Sequence, residues 1–141
     1  TDASSLPGGE VYTIMEGKRI LLVEDNQLNR EIAVELLKMH GFLIDEAENG
    51  RLAVEKFASS GPEEYDCILM DIQMPVMDGY QASEAIRALT REDARTVPIL
   101  ALTANAFATD IGKAHCAGMN DHVAKPIEVE RFMERLRRWI R

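Results

Sequence analysis

The chain has 141 residues, 46% of them hydrophobic and 28% charged, and its 16 basic against 24 acidic residues leave a net charge of −8. This length and balance fit one globular domain with its own core and exclude a disordered or fibrous chain. The acidity argues against direct nucleic-acid binding, which rests on Lys and Arg neutralising phosphates, and no apolar run reaches the ~20 residues of a membrane-spanning helix.

Residues 1–17 read as a linker or leader, because Ser, Pro and Gly dominate the first nine and no period persists. A short extended piece is expected at 11–15. The chain starts at Thr1 rather than Met, as an excised fragment would, and shows no basic-then-apolar signal peptide. Residues 18–141 read as one domain. Residues 19–23 form a short apolar run ended by Glu24, Asp25 and Asn26, which suits a buried strand. Through 26–40, Leu28, Ile32, Leu36 and Met39 recur every three or four residues, predicting a helix that buries that face and stops at Gly41. A strand is expected at 42–47. A helix follows at 49–60, with Leu52, Ala53, Val54 and Phe57 inward and Gly61 and Pro62 as the stop.

Residues 67–70 are all apolar and end on Asp71. The pattern then repeats. A helix at 80–89 turns Ala82, Ala85, Ile86 and Leu89 inward, and a strand at 97–102 stops at Thr103. A helix at 106–117 ends at Gly118, and a strand at 122–124 is closed by Lys125 and Pro126. The last helix, 128–141, turns Val129, Phe132, Met133, Leu136 and Ile140 inward. Five strand–helix units with strands apolar throughout imply an α/β fold: a doubly wound, five-stranded parallel sheet with helices on both faces. Cys67 and Cys116, each among apolar or small residues, read as buried free thiols.

In such a sheet, ligands bind outside the carboxyl ends of the strands. The strands end on Glu24 and Asp25, on Asp71, on Thr103 and on Lys125. Singly, each has an ordinary explanation: Asp and Thr cap helices and Lys is usually solvated. Together they place three carboxylates, a hydroxyl and an ammonium at one end of the sheet. Three like charges need a cation among them, and an all-oxygen set suits Mg²⁺. The result is a phosphoryl site, with Asp71 as a possible nucleophile.

The segments at 20–26 (ILLVEDN), 68–79 (ILMDIQMPVMDG), 99–106 (ILALTANA) and 119–127 (MNDHVAKPI) carry a family resemblance. Over residues 18–141 the chain resembles the CheY-like receiver domains of response regulators, and within them those of hybrid sensor histidine kinases. The resemblance implies a flavodoxin-like fold and a part in two-component phosphorelay signalling. It makes Asp71 the phosphoacceptor, taking a phosphoryl group from a phosphohistidine. Mg²⁺, with Mn²⁺ as a substitute, would be held by Asp25, Asp71, the backbone carbonyl of Gln73 and, through water, Glu24. Thr103 would bond a phosphoryl oxygen and Lys125 would pair with the group. The bond between Lys125 and Pro126 would be cis. The switch would couple Thr103 to His122, where Tyr or Phe is commoner. Gln73 and Asn105, neutral amides, would flank the path of attacking water and give slow to moderate self-dephosphorylation.

The expected partners are a histidine kinase phosphodonor domain, a histidine phosphotransfer domain, or both, with no nucleic acid and no membrane contact by this domain. The expected location is the cytoplasm, in a parent chain free to be membrane-anchored. Arg131, Arg135, Arg137, Arg138 and Arg141 read first as a solvated helix face and second as a docking surface. His40 reads as a helix-terminal residue and His115 as an exposed one. Three other functions compete. One is a stand-alone response regulator. Another is an interaction module that takes no phosphate. The third is a phosphatase of the haloacid-dehalogenase type, which needs a second Asp where Gln73 stands.

Overall fold

The computed structural model describes residues 17–61, 64–72, 74, 76–103, 111–125 and 127–139. In chain order the elements are β1 (Arg19–Val23), α1 (Gln27–Met39), β2 (Leu43–Ala47), α2 (Gly50–Ser59), β3 (Cys67–Asp71) and α3 (Gly79–Arg87). They continue with α4 (Asp93–Thr96), β4 (Ile99–Thr103), α5 (Ile111–Cys116), β5 (Asp121–Ala124) and α6 (Val129–Trp139). The strands form one parallel sheet in the order β2-β1-β3-β4-β5. The order reverses between β1 and β3, which opens a crevice at their carboxyl ends.

Burial follows the strand period of two. Leu21, Val23, Ile68, Met70, Ile99 and Ala101 face one core, shared with Ala53 and Phe57 of α2 and Ala82 and Ile86 of α3. Ile20, Leu22, Cys67, Leu69, Leu100 and Leu102 face the other, with α1 and α6. Every residue of β3 and β4 is buried, as expected of strands covered on both sides. The helices start where side chains satisfy their free amides. Asn26 and Asn49 accept from Asn29 N and Leu52 N, each at 2.9 Å, and Asp78 and Gln81 form a reciprocal capping box. Among the described residues no helix is long and apolar enough to cross a membrane.

Two expectations fail. Most of the face of α1 assigned to the core lies on solvent: Leu28, Ile32 and Met39 are 64%, 51% and 76% exposed and Leu36 is half-buried, while Ala33, Val34 and Leu37 are buried. The helix carries two apolar stripes, and the sheet takes the one with the smaller residues, which permits close approach. Cys67 is buried but Cys116 is exposed; both are free thiols. The sequence reading also missed α4, whose four residues are too few to show a period. Arg87 holds it, donating to Ala94 O at 3.0 Å, to Gly118 O through Nε at 3.0 Å, and to Asn120 Oδ1 at 2.8 Å.

The expected leader (1–17), apart from Gly17, and Ile140 lie outside the described residues, as do the first residues of the expected 106–117 helix and the bond to Pro126. His40 does end α1, its Nδ1 donating to Leu36 O at 2.9 Å, and His115 is exposed. Of the basic residues on α6, Arg131, Arg135 and Arg138 pair with Glu128, Asp121 and Glu134.

Ser83 on α3 is wholly buried, and its hydroxyl has no hydrogen-bond partner among the described residues. A buried hydroxyl without a partner costs stability. Ser83→Ala is therefore expected to stabilise the domain by about 1 kcal/mol, read as a higher urea midpoint at unchanged slope. A loss of stability would show that the hydroxyl is satisfied.

Candidate functional site

The three acidic residues meet at the crevice. Carboxylate oxygens of Glu24, Asp25 and Asp71 lie within 4.8 Å of one another. Glu24 and Asp25 follow β1 directly, and Asp71 is the last residue of β3. Glu24 and Asp71 are each only 3% exposed, whereas Asp25 is on the surface. Lys125, directly after β5, reaches across: its Nζ is 2.8 Å from Glu24 Oε1 and 2.9 Å from Asp71 Oδ2. Thr103 ends β4 and is 7% exposed. Its carbonyl accepts from the Lys125 amide at 2.8 Å, so the two residues share a backbone link.

The electrostatics follow from burial and sharing. Burial, and then the hydrogen bond with Glu24, push the Asp71 carboxyl up to about 7. Burial also works against ionising Glu24, but hydrogen bonds with Asp71, Lys125 and the Asn26 amide outweigh it and hold its pKa below the usual carboxylate value. For Lys125, burial disfavours the charge and the two carboxylates more than restore it, so its pKa rises. One ammonium thus balances a pair of buried carboxyls. The donor set is all oxygen, compact and open on the Asp25 side, which fits a hard divalent cation.

The loop after β3 is held tightly. Gly79 N donates to Ile72 O at 2.9 Å, and a Cβ on Gly79 would stand 2.4 Å from the Asp71 carbonyl oxygen. Glycine is needed there for space rather than for a left-handed backbone. Val76, in contrast, is 74% exposed at φ 71°, a costly conformation for a β-branched residue.

Five of the residues singled out in the sequence, Glu24, Asp25, Asp71, Thr103 and Lys125, stand at the same end of the sheet. His122 lies one residue into β5, half-buried, with Nδ1 3.7 Å from Asp121 Oδ1. Gln73 and Asn105 fall outside the described residues. Sequence reasoning missed Arg30, whose Nη1 donates to the Glu24 carbonyl at 2.7 Å; its signal was only a basic residue one turn into α1. It also missed an apolar cavity of about 350 Å³ beside the site, lined by Ile32, Ala33, Leu36, Leu102 and Ile127 together with Glu24 and Lys125.

The family model described as "Response regulator receiver domain" matches residues 20–137. The chain is 40% identical to Two-component system protein A of Emericella nidulans over 131 residues, covering 92% of this chain but 18% of that protein. It is 40% identical to the two-component response regulator ORR41 of Oryza sativa subsp. japonica over 116 residues, 81% of this chain and 87% of that one. Among solved structures it resembles the receiver domain of sensor histidine kinase PA1611 from Pseudomonas aeruginosa PAO1. That domain has magnesium coordinated in its active-site cleft; the TM-score is 0.77 at 42% identity, over 87% of this chain and 97% of that one. It also resembles the Saccharomyces cerevisiae complex of the histidine phosphotransfer protein Ypd1 with the receiver domain of Ssk1. There the TM-score is 0.74 at 29% identity, over 89% and 90% of the chains. Sheet order, acidic crevice and family match agree: the chain belongs to the response regulator receiver domains, the phosphorelay modules of two-component signalling.

Proposed function

We propose that Asp71 is the phosphoacceptor of this receiver, working with Mg²⁺ held by Asp25 and Asp71 and, through water, by Glu24. The observation that supports this most is the meeting of three carboxylates within 4.8 Å with Lys125 on two of them. An Asp71 oxygen attacks the phosphorus of a phosphohistidine. A P–O bond forms as the P–N bond breaks, and the histidine nitrogen leaves with its electron pair. When bound, the cation supplies the positive charge that keeps three carboxylates ionised together. Lys125 leaves its carboxylate partners for the incoming phosphoryl oxygens, and Thr103 offers its hydroxyl to another. Catalysis of this kind is positioning and charge stabilisation. By the family pattern the backbone carbonyl of Gln73, which lies outside the described residues, would complete the cation's ligands, and Mn²⁺ would substitute for Mg²⁺. Thr103 and His122 carry the switch. Gln73 and Asn105 set a slow to moderate phosphate lifetime.

The partner in this reading is a histidine phosphotransfer or kinase phosphodonor domain. Ile32 of α1, exposed and apolar, lines the cavity beside Glu24 and Lys125 and offers the partner a dry contact, with Leu28 exposed on the same helix. The parent is a hybrid sensor histidine kinase acting in the cytoplasm. The likeness to the PA1611 receiver and the two free cysteines support that setting; the likeness to the rice response regulator favours a stand-alone regulator instead.

Intact mass after incubation with acetyl phosphate tests the site. A Mg²⁺-dependent gain of one phosphoryl group, absent in Asp71→Asn, is expected; no adduct under rapid quench would overturn the assignment. Ile32→Glu is expected to keep that gain while losing phosphate transfer from a phosphorylated histidine phosphotransfer protein. Equal transfer would remove α1 from the docking face.

A further inference from the structure

Asp25 differs from the other two carboxylates. Glu24 and Asp71 are buried and fixed by Lys125. The Asp25 side chain is exposed, and no described residue bonds it. Its position therefore depends on its backbone, and both peptides flanking it are clamped. The amide after it, Asn26 N, donates to Glu24 Oε2 at 3.2 Å. The carbonyl before it, Glu24 O, accepts from Arg30 Nη1 at 2.7 Å. Arg30 is itself anchored, its side chain only 15% exposed and its Nε 3.2 Å from Glu46 Oε1 on β2. Glu24 N is in turn tied to β2, donating to Ala47 O at 3.1 Å.

We propose that Arg30 is a positioning residue for the cation site: its guanidinium, braced on Glu46, fixes the peptide between Glu24 and Asp25 and so aims the Asp25 carboxylate. This rests on the reading of the three carboxylates as the Mg²⁺ site. Guanidinium geometry suits the task. The planar fork sends one donor to a carbonyl and another to a carboxylate at once. A lysine there would supply the same charge from a single point.

The sign of the effect separates positioning from simple electrostatics. Arg30 puts a positive charge beside a cation site, so removing it relieves repulsion and, on charge alone, tightens Mg²⁺ binding. Removing a positioning donor weakens it, by roughly tenfold for groups that orient metal ligands. A purely structural role would lower the melting temperature and leave the affinity of the folded chain unchanged.

The test is Mg²⁺ binding by isothermal titration calorimetry on the native chain, Arg30→Ala, Arg30→Lys and Glu46→Gln, with thermal unfolding of each in chelator. The expected result is a dissociation constant raised roughly tenfold in Arg30→Ala, raised in Arg30→Lys despite its retained charge, and raised least in Glu46→Gln. Arg30→Lys and Glu46→Gln carry the test if Arg30→Ala does not fold. Unchanged or tighter binding in the Arg30 variants, with native binding intact, overturns the proposal alone. A native chain that binds no Mg²⁺, or an Asp25→Asn chain that binds it as the native does, overturns the site reading and the proposal with it.

Discussion

Lys125→Met is expected to destabilise the domain by about 3 kcal/mol at about pH 8, because it leaves two buried carboxylates without their counter-charge. The Lys125 ammonium touches both Glu24 and Asp71, and methionine keeps most of the side chain's volume without its charge. The deficit depends on pH in a definite direction. Asp71 is pushed up to about 7 from 3.8 even with the lysine present. The folded chain therefore holds that proton more tightly than the unfolded chain does, and this contribution to stability falls as pH rises from about 4 to about 7. Glu24 runs the other way: its pKa is lowered, so its contribution is present above the unfolded value and lost as pH falls. Lys125, with its pKa raised, contributes fully below its unfolded value and loses that contribution only in alkali. Without it, both carboxyls resist ionisation, and the variant weakens more steeply than the native chain between about pH 5 and about pH 8. Urea unfolding at the two ends of that range is the measurement. The same deficit at both would assign the loss to packing of the lysine stem instead. Millimolar Mg²⁺ is expected to narrow the deficit, since a cation among the carboxylates replaces the missing ammonium.

Gly79→Ala is expected to cost about 3 kcal/mol, near the upper end of ordinary overpacking. The added Cβ would meet Asp71 O at 2.4 Å and Ile72 Cα at 2.8 Å. Both are backbone atoms, so no side chain can swing aside. The strain falls on the end of β3, and Mg²⁺ affinity is expected to drop along with stability. Gly61→Ala is the control. Its nearest neighbour would be Glu64 Oε1 at 3.6 Å, and a change within about 0.5 kcal/mol is expected. Denaturant unfolding and calorimetry of both variants check this; a Gly79→Ala chain as stable as Gly61→Ala would sink the close-packing account.

The interior strands β1, β3 and β4 were legible in the sequence because burial on both faces makes them short and almost uniformly apolar, as in the run from Cys67 to Met70, whereas the edge strands β2 and β5 carry charged, partly exposed residues against the expectation of strands apolar throughout. The site was legible for the same reason: once the strands are placed, Glu24, Asp25, Asp71, Thr103 and Lys125 fall at one end by topology alone. What failed depends on packing partners that a single segment does not carry. Helix α1 has one stripe of Leu28, Ile32 and Met39 and another of Ala33, Val34 and Leu37, and only the neighbouring sheet decides which is inside. The exposure of Cys116 was hidden because small and apolar neighbours mark either side of a short helix. Arg30 was hidden because its partners are a backbone carbonyl and a residue on another strand. Helix α4 rests on Arg87 and Arg91, whose carbonyl and carboxylate partners are scattered from Phe57 to Asn120.

The two charged groups that meet at the crevice are not equally anchored. Asp71 ends β3, which has a hydrogen-bonded neighbour on each side and no exposed residue. Lys125 follows β5, an edge strand that among the described residues pairs only with β4. Interior strands open only when the whole domain does, while an edge strand can fray at lower cost. The carboxylate is therefore the fixed pole of the pair and the ammonium the yielding one. On this anchoring, thermal excursions that part them would carry Lys125 outward and leave the Asp71 carboxylate in register with the sheet.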